Sequence, residues 1–391
     1  MNNMEEYILS FFDTLEMYED IHNGKNHKEA IRDSIREFLN TKTTGSAYKV
    51  YETFFVAYWI GIQNEKNPFL ELPQIMNRFE EKAGCLLEKQ RDHYVHTIFV
   101  FLLGLAIYER NDNFKKNFNE YALNKKNYPD FYITKNEEFF YRWGIASLFH
   151  DIAYPLEITL KQANKYLDFI WNYPEKITRK SKIKMELSDF KDFITLPVLK
   201  TDARFEEEFF KKYPESKYEF HDDAISILSQ SISSNFSLNI NEIETNLSDF
   251  VEDMKEKSFI DHGFYGAVIM LRWYYHLVKT TNWNPLYFYF PVADSASAIF
   301  LHNYYKHVLM KKPFNLECMK VKSHPIAYLL ILCDGLQEWN RKGFGENDSI
   351  NPTITDFDVI INNSKMVIYY RFAKKGDRNV YKNLPTTVST I

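Results

Sequence analysis

The residues best suited to chemistry are histidines and aspartates that lie within strongly apolar segments. His150 and Asp151 follow an apolar run, Asp334 lies inside another, and His96 directly precedes a third. Aspartate is rarely buried unless it is paired or metal-bound, because removing a carboxylate from water is costly. Adjacent residues on a helix are about 100° apart, so one cation could bind both His150 and Asp151. These segments therefore predict a buried metal site.

Each of these residues also has an ordinary structural interpretation. A single His-Asp dipeptide is commonly a surface or capping pair, Asp334 could neutralise a buried Arg or Lys, and His96 could be a core histidine with its hydrogen bonds satisfied. The His-Asp-Asp run at 221–223 illustrates the ordinary case. It follows a charged stretch, and we expect it to cap a helix that begins at Ala224.

Hydrophobic spacing predicts that most of the chain is helical. Apolar stripes at i, i+4 spacing run through residues 7–15 and 51–59. A long helix is expected from about Ile75. Another is expected from about Glu137 to Tyr154-Pro155, because proline disfavours helical backbone in the residue before it. Four later helices are expected to start near Asp222, Asp261, Asp294 and Ser323-His324-Pro325, the first three with aspartate at the N-cap.

Only the C-terminal end has a strand pattern. Residues 358–361 and 366–370 flank a four-residue loop, which predicts a β-hairpin. An isolated hairpin is only marginally stable, so it should pack on the helical body or on a partner subunit, and self-association stays open. Residues 110–136 are expected to form a polar loop or insertion, and 172–220 an irregular accessory region. The predicted fold class is all-α with a small β-hairpin.

Composition narrows the class of protein. The 391 residues are 45% hydrophobic, which supports a large core and excludes a mainly disordered chain. The net charge of −5 gives no positive field for duplex nucleic acid or an anionic membrane.

The longest apolar run, 97–108, is short of the roughly 20 residues that span a bilayer. Cys85, Cys318 and Cys333 are too far apart for a Cys-based zinc site, and no signal-peptide pattern is present, so a cytoplasmic location is expected.

Taken in order, His96, His150-Asp151 and Asp334 resemble the HD-domain superfamily of metal-dependent phosphohydrolases. The segment from Asp261 to Ala267 is similar to an Asp-His-Gly-x-x-Gly-Ala segment in many members, and His302 adds a further match. Together these residues look like the six-ligand variant, which holds two metal ions. The resemblance covers residues 88–343. Its spacings of 54 residues from His96 to His150 and of 111 from Asp151 to His262 are long for the family.

The resemblance implies a role for each of these residues. One metal ion would be bound by His96, His150, Asp151 and Asp334. Asp151 would bridge to a second ion held by His262 and His302. His93 is an alternative to His96. Mixed imidazole and carboxylate ligands suit Mn, Fe, Co, Ni or Zn. Two such ions, about 3.5–4 Å apart, can produce a hydroxide at neutral pH and stabilise the attacking and leaving oxygens of a phosphoryl group.

Candidate catalytic residues are the bridging Asp151 and two arginines that could hold phosphate. Arg341 lies seven residues after Asp334 and would project from a similar helix face. Arg142 lies eight residues before His150. Either arginine could instead be solvated or paired with a carboxylate. Tyr154 could stack on a base or sugar, or pack in the core.

The leading hypothesis is a metal-dependent phosphohydrolase in which a metal-activated hydroxide attacks the phosphate ester of a small substrate, with a nucleotide favoured by the resemblance. One alternative is a regulatory or partner-binding protein with a degenerate HD site, and another is a di-iron oxygenase of the same fold. The expected organisation is an N-terminal helical extension at 1–85, an HD-type helical domain at 86–345 with insertions at 110–136 and 172–220, and a hairpin appendage at 346–391.

Overall fold

The computed structural model describes residues 3–58, 68–83, 90–122, 133–172, 182–184, 186–197, 203–216, 218–280, 286–341, 343–344, 354–372 and 387–388. Within these ranges the chain is all-α with a small antiparallel β-appendage, as the sequence predicted. Cys85 and the N-terminal Met1-Asn2 lie outside them. None of the described helices is both long enough and apolar enough to cross a bilayer.

The helices are α1 Asn3–Thr14, α2 Tyr18–Asn23, α3 His27–Thr41, α4 Thr44–Ala57, α5 Pro68–Ala83, α6 Tyr94–Arg110, α7 Asp112–Ala122, α8 Lys135–Phe149, α9 Tyr154–Asn172, α10 Phe190–Ile194, α11 Ala203–Lys212, α12 Ala224–Phe236, α13 Ile240–Lys257, α14 His262–Thr280, α15 Leu286–Tyr304 and α16 Pro325–Leu336. A π-helical turn, Tyr305–Leu309, continues α15. The strands are β1 Gln90–Arg91, β2 Gly343–Phe344, β3 Ile354–Ile361, β4 Met366–Phe372 and β5 Thr387–Val388.

Four helices, α6, α8, α15 and α16, form the centre of the bundle. In α6 every residue from Tyr94 to Tyr108 is buried, and in α8 every residue from Glu137 to Phe149. Helices with no exposed side belong in a core, which is where the contacts place them. Helix α8 packs on α6 and α15, and α16 packs on α6, α8 and α15. Three of these helices contain a predicted metal ligand, His96, His302 or Asp334, and the fourth, α8, ends directly before His150 and Asp151.

The N-terminal helices share the hydrophobic core of this bundle. Helix α1 packs on α6, and the Phe11 ring lies edge-on to Tyr108 and Phe139 with centroids 6.0 and 6.3 Å apart. The buried apolar residues of α1, α3 and α4 join those of α6 and α8 in one continuous cluster. Residues 3–57 are therefore packed onto the helices that position the site.

The predicted hairpin is confirmed and packs on the helical body. Strands β3 and β4 pair antiparallel, with Val359 opposite Ile368, and β5 adds a short third strand. The ring of Phe357 stacks on Trp339 at a centroid distance of 3.7 Å. At the loop, the side-chain amide of Asn111 donates to the carbonyl of Asn362 over 3.0 Å. These contacts are within one chain, so the hairpin has the support it needs without a second subunit.

Several helix boundaries differ from the sequence-based expectation. The region 110–136, expected as a loop, contains α7, because Phe114 and Phe118 lie one turn apart and both enter the core. Helix α5 begins at Pro68 rather than near Ile75, with Pro73 inside it. The region 172–220 contains the short helices α10 and α11, and α13 was not anticipated.

Two capping assignments had opposite outcomes. Asp223 does cap α12, accepting a hydrogen bond from the Ser226 backbone over 2.8 Å. Asp294 was wrongly assigned as an N-cap. Helix α15 begins at Leu286, so Asp294 lies two turns inside it, where it is buried and paired with Arg142. A buried aspartate paired with an arginine looks the same as a capping aspartate in a single sequence.

Burial of Glu137 at the start of α8 predicts a pH-dependent stability. Burial raises the pKa of Glu137 from 4.5 to about 7. The folded state therefore holds a proton that the unfolded state releases, and stability falls as pH rises through this window. Glu137→Gln should remove the loss, so that between about pH 5 and about pH 8 the variant gains roughly 2 kcal/mol over the parent. Urea unfolding at the two pH values measures this.

The exposed Glu6 of α1 provides a control, since Glu6→Gln makes the same substitution at a carboxyl group that is not buried. We expect Glu6→Gln and the parent to lose stability equally over the pH range. If Glu137→Gln also follows the parent, the Glu137 carboxyl does not hold the proton in the folded state.

Candidate metal centre

A break between two helices positions His150 and Asp151. Helix α8 ends at Phe149, residues 150–153 form turns, and α9 begins at Tyr154. The expectation that Tyr154-Pro155 ends a helix was wrong, since these residues start one. Proline is tolerated in a first turn because its missing N–H would have no helical partner there. The His-Asp pair therefore lies at a helix junction.

The other ligand candidates come from four further helix ends. His96 is in the first turn of α6, and His262 is the first residue of α14. His302 is in the last turn of α15, and Asp334 is two residues before the end of α16. Although these residues are far apart along the chain, the fold brings their side chains to one place.

The first ligand group contains His96, His150 and Asp151, with Asp334 beside it. Oδ1 of Asp334 lies 2.9 Å from Nε2 of His96 and 3.8 Å from Nε2 of His150. Oδ2 of Asp151 lies 3.2 Å from Nε2 of His150 and 4.0 Å from that of His96. Two imidazole nitrogens and an oxygen of Asp151 therefore lie close enough to share one ion, and an oxygen of Asp334 lies next to both imidazoles.

The second ligand group contains Asp151, His262 and His302. Oδ1 of Asp151, the other oxygen of the same carboxylate, lies 3.3 Å from Nε2 of His262. Nε2 of His262 lies 3.0 Å from Nε2 of His302. In each group the ligand atoms lie within 4.8 Å of one another, which is compatible with one ion per group. Asp151 belongs to both groups and contributes one oxygen to each.

All four histidines are held in the same way. Each Nδ1 contacts an acceptor oxygen: Oε1 of Gln337 for His96, the Ser147 carbonyl for His150, Oε2 of Glu157 for His262 and the Ile299 carbonyl for His302. A hydrogen on Nδ1 leaves the Nε2 lone pair directed into the centre. Metal-binding histidines characteristically have such an outer partner, which fixes the tautomer and the ring orientation.

The electrostatics of the cluster favour a cation. Nε2 of His150 is buried and has no hydrogen-bond partner among the described residues, although Asp151 is close. Burial would lower the pKa of His150, but the carboxylates of Asp151 and Asp334 outweigh it and raise the pKa to about 10. Despite burial, the neighbouring histidines hold the pKa of both aspartates well below the usual range. The two carboxylates thus attract positive charge, which a metal ion would supply.

Asp334 and His262 form the edge of the cluster that is open to solvent. The side chain of Asp334 is 36% exposed and that of His262 is 14% exposed, whereas those of His96 and His150 are fully buried. Beside His262 lies a groove of about 1130 Å³ that is also lined by Asn303, Lys161 and Lys165. A small molecule could therefore approach the cluster from the His262 side.

The remaining candidates take different positions. Arg341 lies near the first group: its charge lowers the pKa of His96, second only to burial. Arg142 does not join the cluster, since it is fully buried and paired with Glu138 and Asp294. His93 also lies outside both groups. Its Nδ1 is 2.7 Å from Oε1 of Glu80, and its ring stacks on Tyr154 at 3.7 Å.

The sequence reasoning missed the residues that support the ligands. Gln337 follows Asp334 by three residues, and this spacing could have identified it, because such pairs share a side of a helix. No sequence spacing identifies Glu157 or Glu80. Glu157 contacts His262 and Glu80 contacts His93 only because their helices pack together in the fold. Asn303 is adjacent to His302, and its amide lies 3.2 Å from Nε2 of His262.

The contact from Glu157 to His262 predicts a loss of metal affinity on substitution. Glu157→Gln keeps the size of the side chain but removes the charge that holds the Nδ1 hydrogen of His262. Loss of an outer partner of this kind typically costs 10–100-fold in affinity, so the second ion should bind about that much more weakly. Metal titration by calorimetry measures the change.

Glu157 also pairs with Lys161 on its own helix. Glu252 is a matched control, because it pairs in the same way with Lys255 at 3.1 Å but lies on the exposed face of α13. Glu252→Gln should bind metal as the parent does. Equal affinities for Glu157→Gln and the parent would mean that Glu157 does not support a metal ligand.

Comparisons with models of known families, with curated proteins and with solved structures found no match. The geometry of the histidine–aspartate cluster is therefore the basis for any functional assignment.

Proposed function

We propose that this chain is a metal-dependent phosphohydrolase with an HD-type dinuclear centre. The observation that supports this most directly is the shared carboxylate of Asp151, with one oxygen 3.2 Å from His150 and the other 3.3 Å from His262. A carboxylate between two imidazole-rich groups suits two ions at the separation used in phosphoryl transfer. The four histidines of the proposed ligand set each share a group with Asp151, and Asp334 lies beside the first group.

The protein's own contribution is to orient the imidazole rings and to provide carboxylates that neutralise the charge of the ions. The acceptors at each Nδ1 hold the imidazoles with Nε2 toward the centre, while burial of His96 and His150 excludes water from one side. Bound divalent ions would activate water and stabilise charge on the phosphoryl oxygens. Imidazole and carboxylate donors with no thiolate favour Mn, Fe, Co, Ni or Zn over Mg or Ca.

The substrate class is inferred from Arg341 near the first ligand group and from the groove at the open side of the cluster. Arg341 has a buried Nε without a hydrogen-bond partner among the described residues, and its charge is felt at His96. A phosphate oxygen would satisfy this donor. The groove beside His262 has the volume of a site for a nucleotide-sized molecule. A small phosphate ester, with nucleotides as the first choice, is therefore the proposed substrate.

Metal content and phosphate release test the proposal together. Protein purified without oxygen and reconstituted with Mn or Fe should contain about two equivalents and hydrolyse part of a panel of nucleotides and simple phosphate esters. Metal content below about 0.2 equivalents would overturn the metal centre. Full metal loading without phosphate release in single turnover would instead favour a regulatory protein. An oxygen requirement would favour the oxygenase alternative.

Substitution of Arg341 should affect substrate and metal differently. Arg341→Gln removes the proposed phosphate donor but no metal ligand, so kcat/KM should fall about 10–100-fold while metal content stays unchanged. Steady-state kinetics and metal analysis on the same preparation measure both. The exposed Arg36, in α3, gives the control Arg36→Gln, which should change neither quantity. Unchanged kcat/KM in Arg341→Gln would remove Arg341 from the substrate site.

A further inference from the structure

A second buried polar cluster lies away from the metal centre. Asp294 accepts from Arg142 at 3.0 Å and from the Tyr121 hydroxyl at 2.6 Å, and Arg142 also pairs with Glu138 at 2.6 Å. Nε2 of His324 lies 3.5 Å from the same Asp294 carboxylate. Asp294 and His302 are eight residues apart on α15, which is about 12 Å along the helix. The cluster is therefore distinct from the metal site.

The charges of this cluster do not balance. Glu138 and Asp294 are acidic and Arg142 is basic, and each is at most 5% exposed. Burial lowers the pKa of His324, which keeps the imidazole neutral at neutral pH. Two buried carboxyl groups therefore share one guanidinium, and burial raises the pKa of Glu138 despite its contact with Arg142. An uncompensated buried charge is costly, so a cation beside Asp294 would be stabilising.

A small cavity opens beside Asp294. It has a volume of about 230 Å³ and lies between α7, α12 and α15. Its walls combine the aromatic side chains of Tyr121, Tyr218 and Phe290 with the polar side chains of Gln230 and Asn235. Gln230 is 8% exposed, and its Oε1 has no hydrogen-bond partner among the described residues. The cavity thus offers a free acceptor, a carboxylate and aromatic faces.

We propose that this cavity binds a small organic cation with a primary ammonium group. The ammonium would donate to Oε1 of Gln230 and lie close to the Asp294 carboxylate. Its alkyl part would contact the aromatic walls, whose faces also attract cations. A hydrated inorganic ion would gain less from these apolar walls, and an anion would meet the Asp294 carboxylate. The site is independent of the proposed hydrolase activity.

Binding of n-butylammonium chloride to the full-length, metal-loaded protein tests the proposal. Titration followed by calorimetry or ligand-observed NMR should give saturable binding, with much weaker binding of n-butanol and of butyrate, which have similar size but no positive charge. Equal binding of n-butanol would mean an apolar cavity only. Absence of n-butylammonium binding would also overturn the proposal.

Two variants locate the site without altering a charge. Gln230→Leu removes the free acceptor and should weaken n-butylammonium binding about tenfold. Ala293→Leu places extra volume at the cavity wall and should have a similar or larger effect. Gln162→Leu, on α9 and outside this cavity, is the matched control and should bind as the parent does. Thermal unfolding and metal content verify that each variant is folded. Unchanged binding in a folded Gln230→Leu or Ala293→Leu would exclude this cavity.

Discussion

Asp151→Asn should reduce phosphate release by about a thousandfold or more and lower the metal content from about two equivalents to one or fewer. Asparagine has nearly the size of aspartate but no charge. The two oxygens of Asp151 lie 3.2 and 3.3 Å from Nε2 of His150 and of His262, so each can bind the ion beside one of these histidines. The single carbonyl oxygen of asparagine cannot bind both ions. The loss should follow the metal content, measured by elemental analysis on the sample used for kinetics.

Asp222→Asn is a control for this experiment because Asp222 also follows a histidine, His221, before a helix. It lies outside both ligand groups, and its backbone carbonyl accepts from Leu196. We expect normal metal content and activity in Asp222→Asn. If Asp151→Asn retains two equivalents and full activity, the shared carboxylate is not the centre of a dinuclear site.

The comparison of these two His-Asp dipeptides shows what sequence can predict about the site. Both dipeptides consist of the same two residues, and only the neighbouring sequence differs. His150-Asp151 follows a continuous apolar segment, whereas His221-Asp222 follows a charged segment. Burial cost therefore identified the dipeptide that needs a counter-charge. The convergence of His96, His262 and His302 with it could be predicted only through the resemblance.

The partners of the ligands were harder to predict than the ligands. Glu157 reaches His262 from a helix that the sequence did not predict to begin at Tyr154. Arg142 could not be assigned from the sequence, because its spacing from His150 suits a phosphate contact as well as it suits the observed pairing with Asp294. Such choices depend on which helices are neighbours, and a single sequence does not contain that information.

The fold could be predicted where the hydrophobic periodicity is strong. It was uncertain where one residue type is compatible with two different structural roles. The stripe at residues 7–15 and the hairpin at 358–370 have regular patterns, and both elements form. Pro155 can end one helix or start the next, and Asp294 can cap a helix or pair inside one. In both cases tertiary contacts decided the outcome, and the sequence-based assignment was wrong.

Alanine at Gly144 or Gly104 should destabilise the fold by at least about 2 kcal/mol, against the usual gain from replacing glycine in a helix. A Cβ at Gly144 would lie 2.2 Å from the Phe54 ring, and one at Gly104 would lie 2.1 Å from the Trp143 ring. Both rings are fully buried, and the Trp143 indole donates to the Phe101 carbonyl over 2.8 Å. Neither ring can therefore move aside at low cost. Urea unfolding of the metal-free protein measures the change.

Gly335→Ala separates this steric cost from the general effect of removing a glycine. Gly335 is also helical, but a Cβ there would have no atom within 4 Å, so the variant should be more stable by about 0.5 kcal/mol. Gly104 and Gly144 lie on α6 and α8, the helices that contain His96 and lead to His150. Since close packing of α6 on α8 sets the distance between these ligands, and Gly104 of α6 faces Trp143 of α8, Gly104→Ala should also bind the first metal ion more weakly. A stable Gly104→Ala with unchanged metal affinity would show that this packing does not position the site.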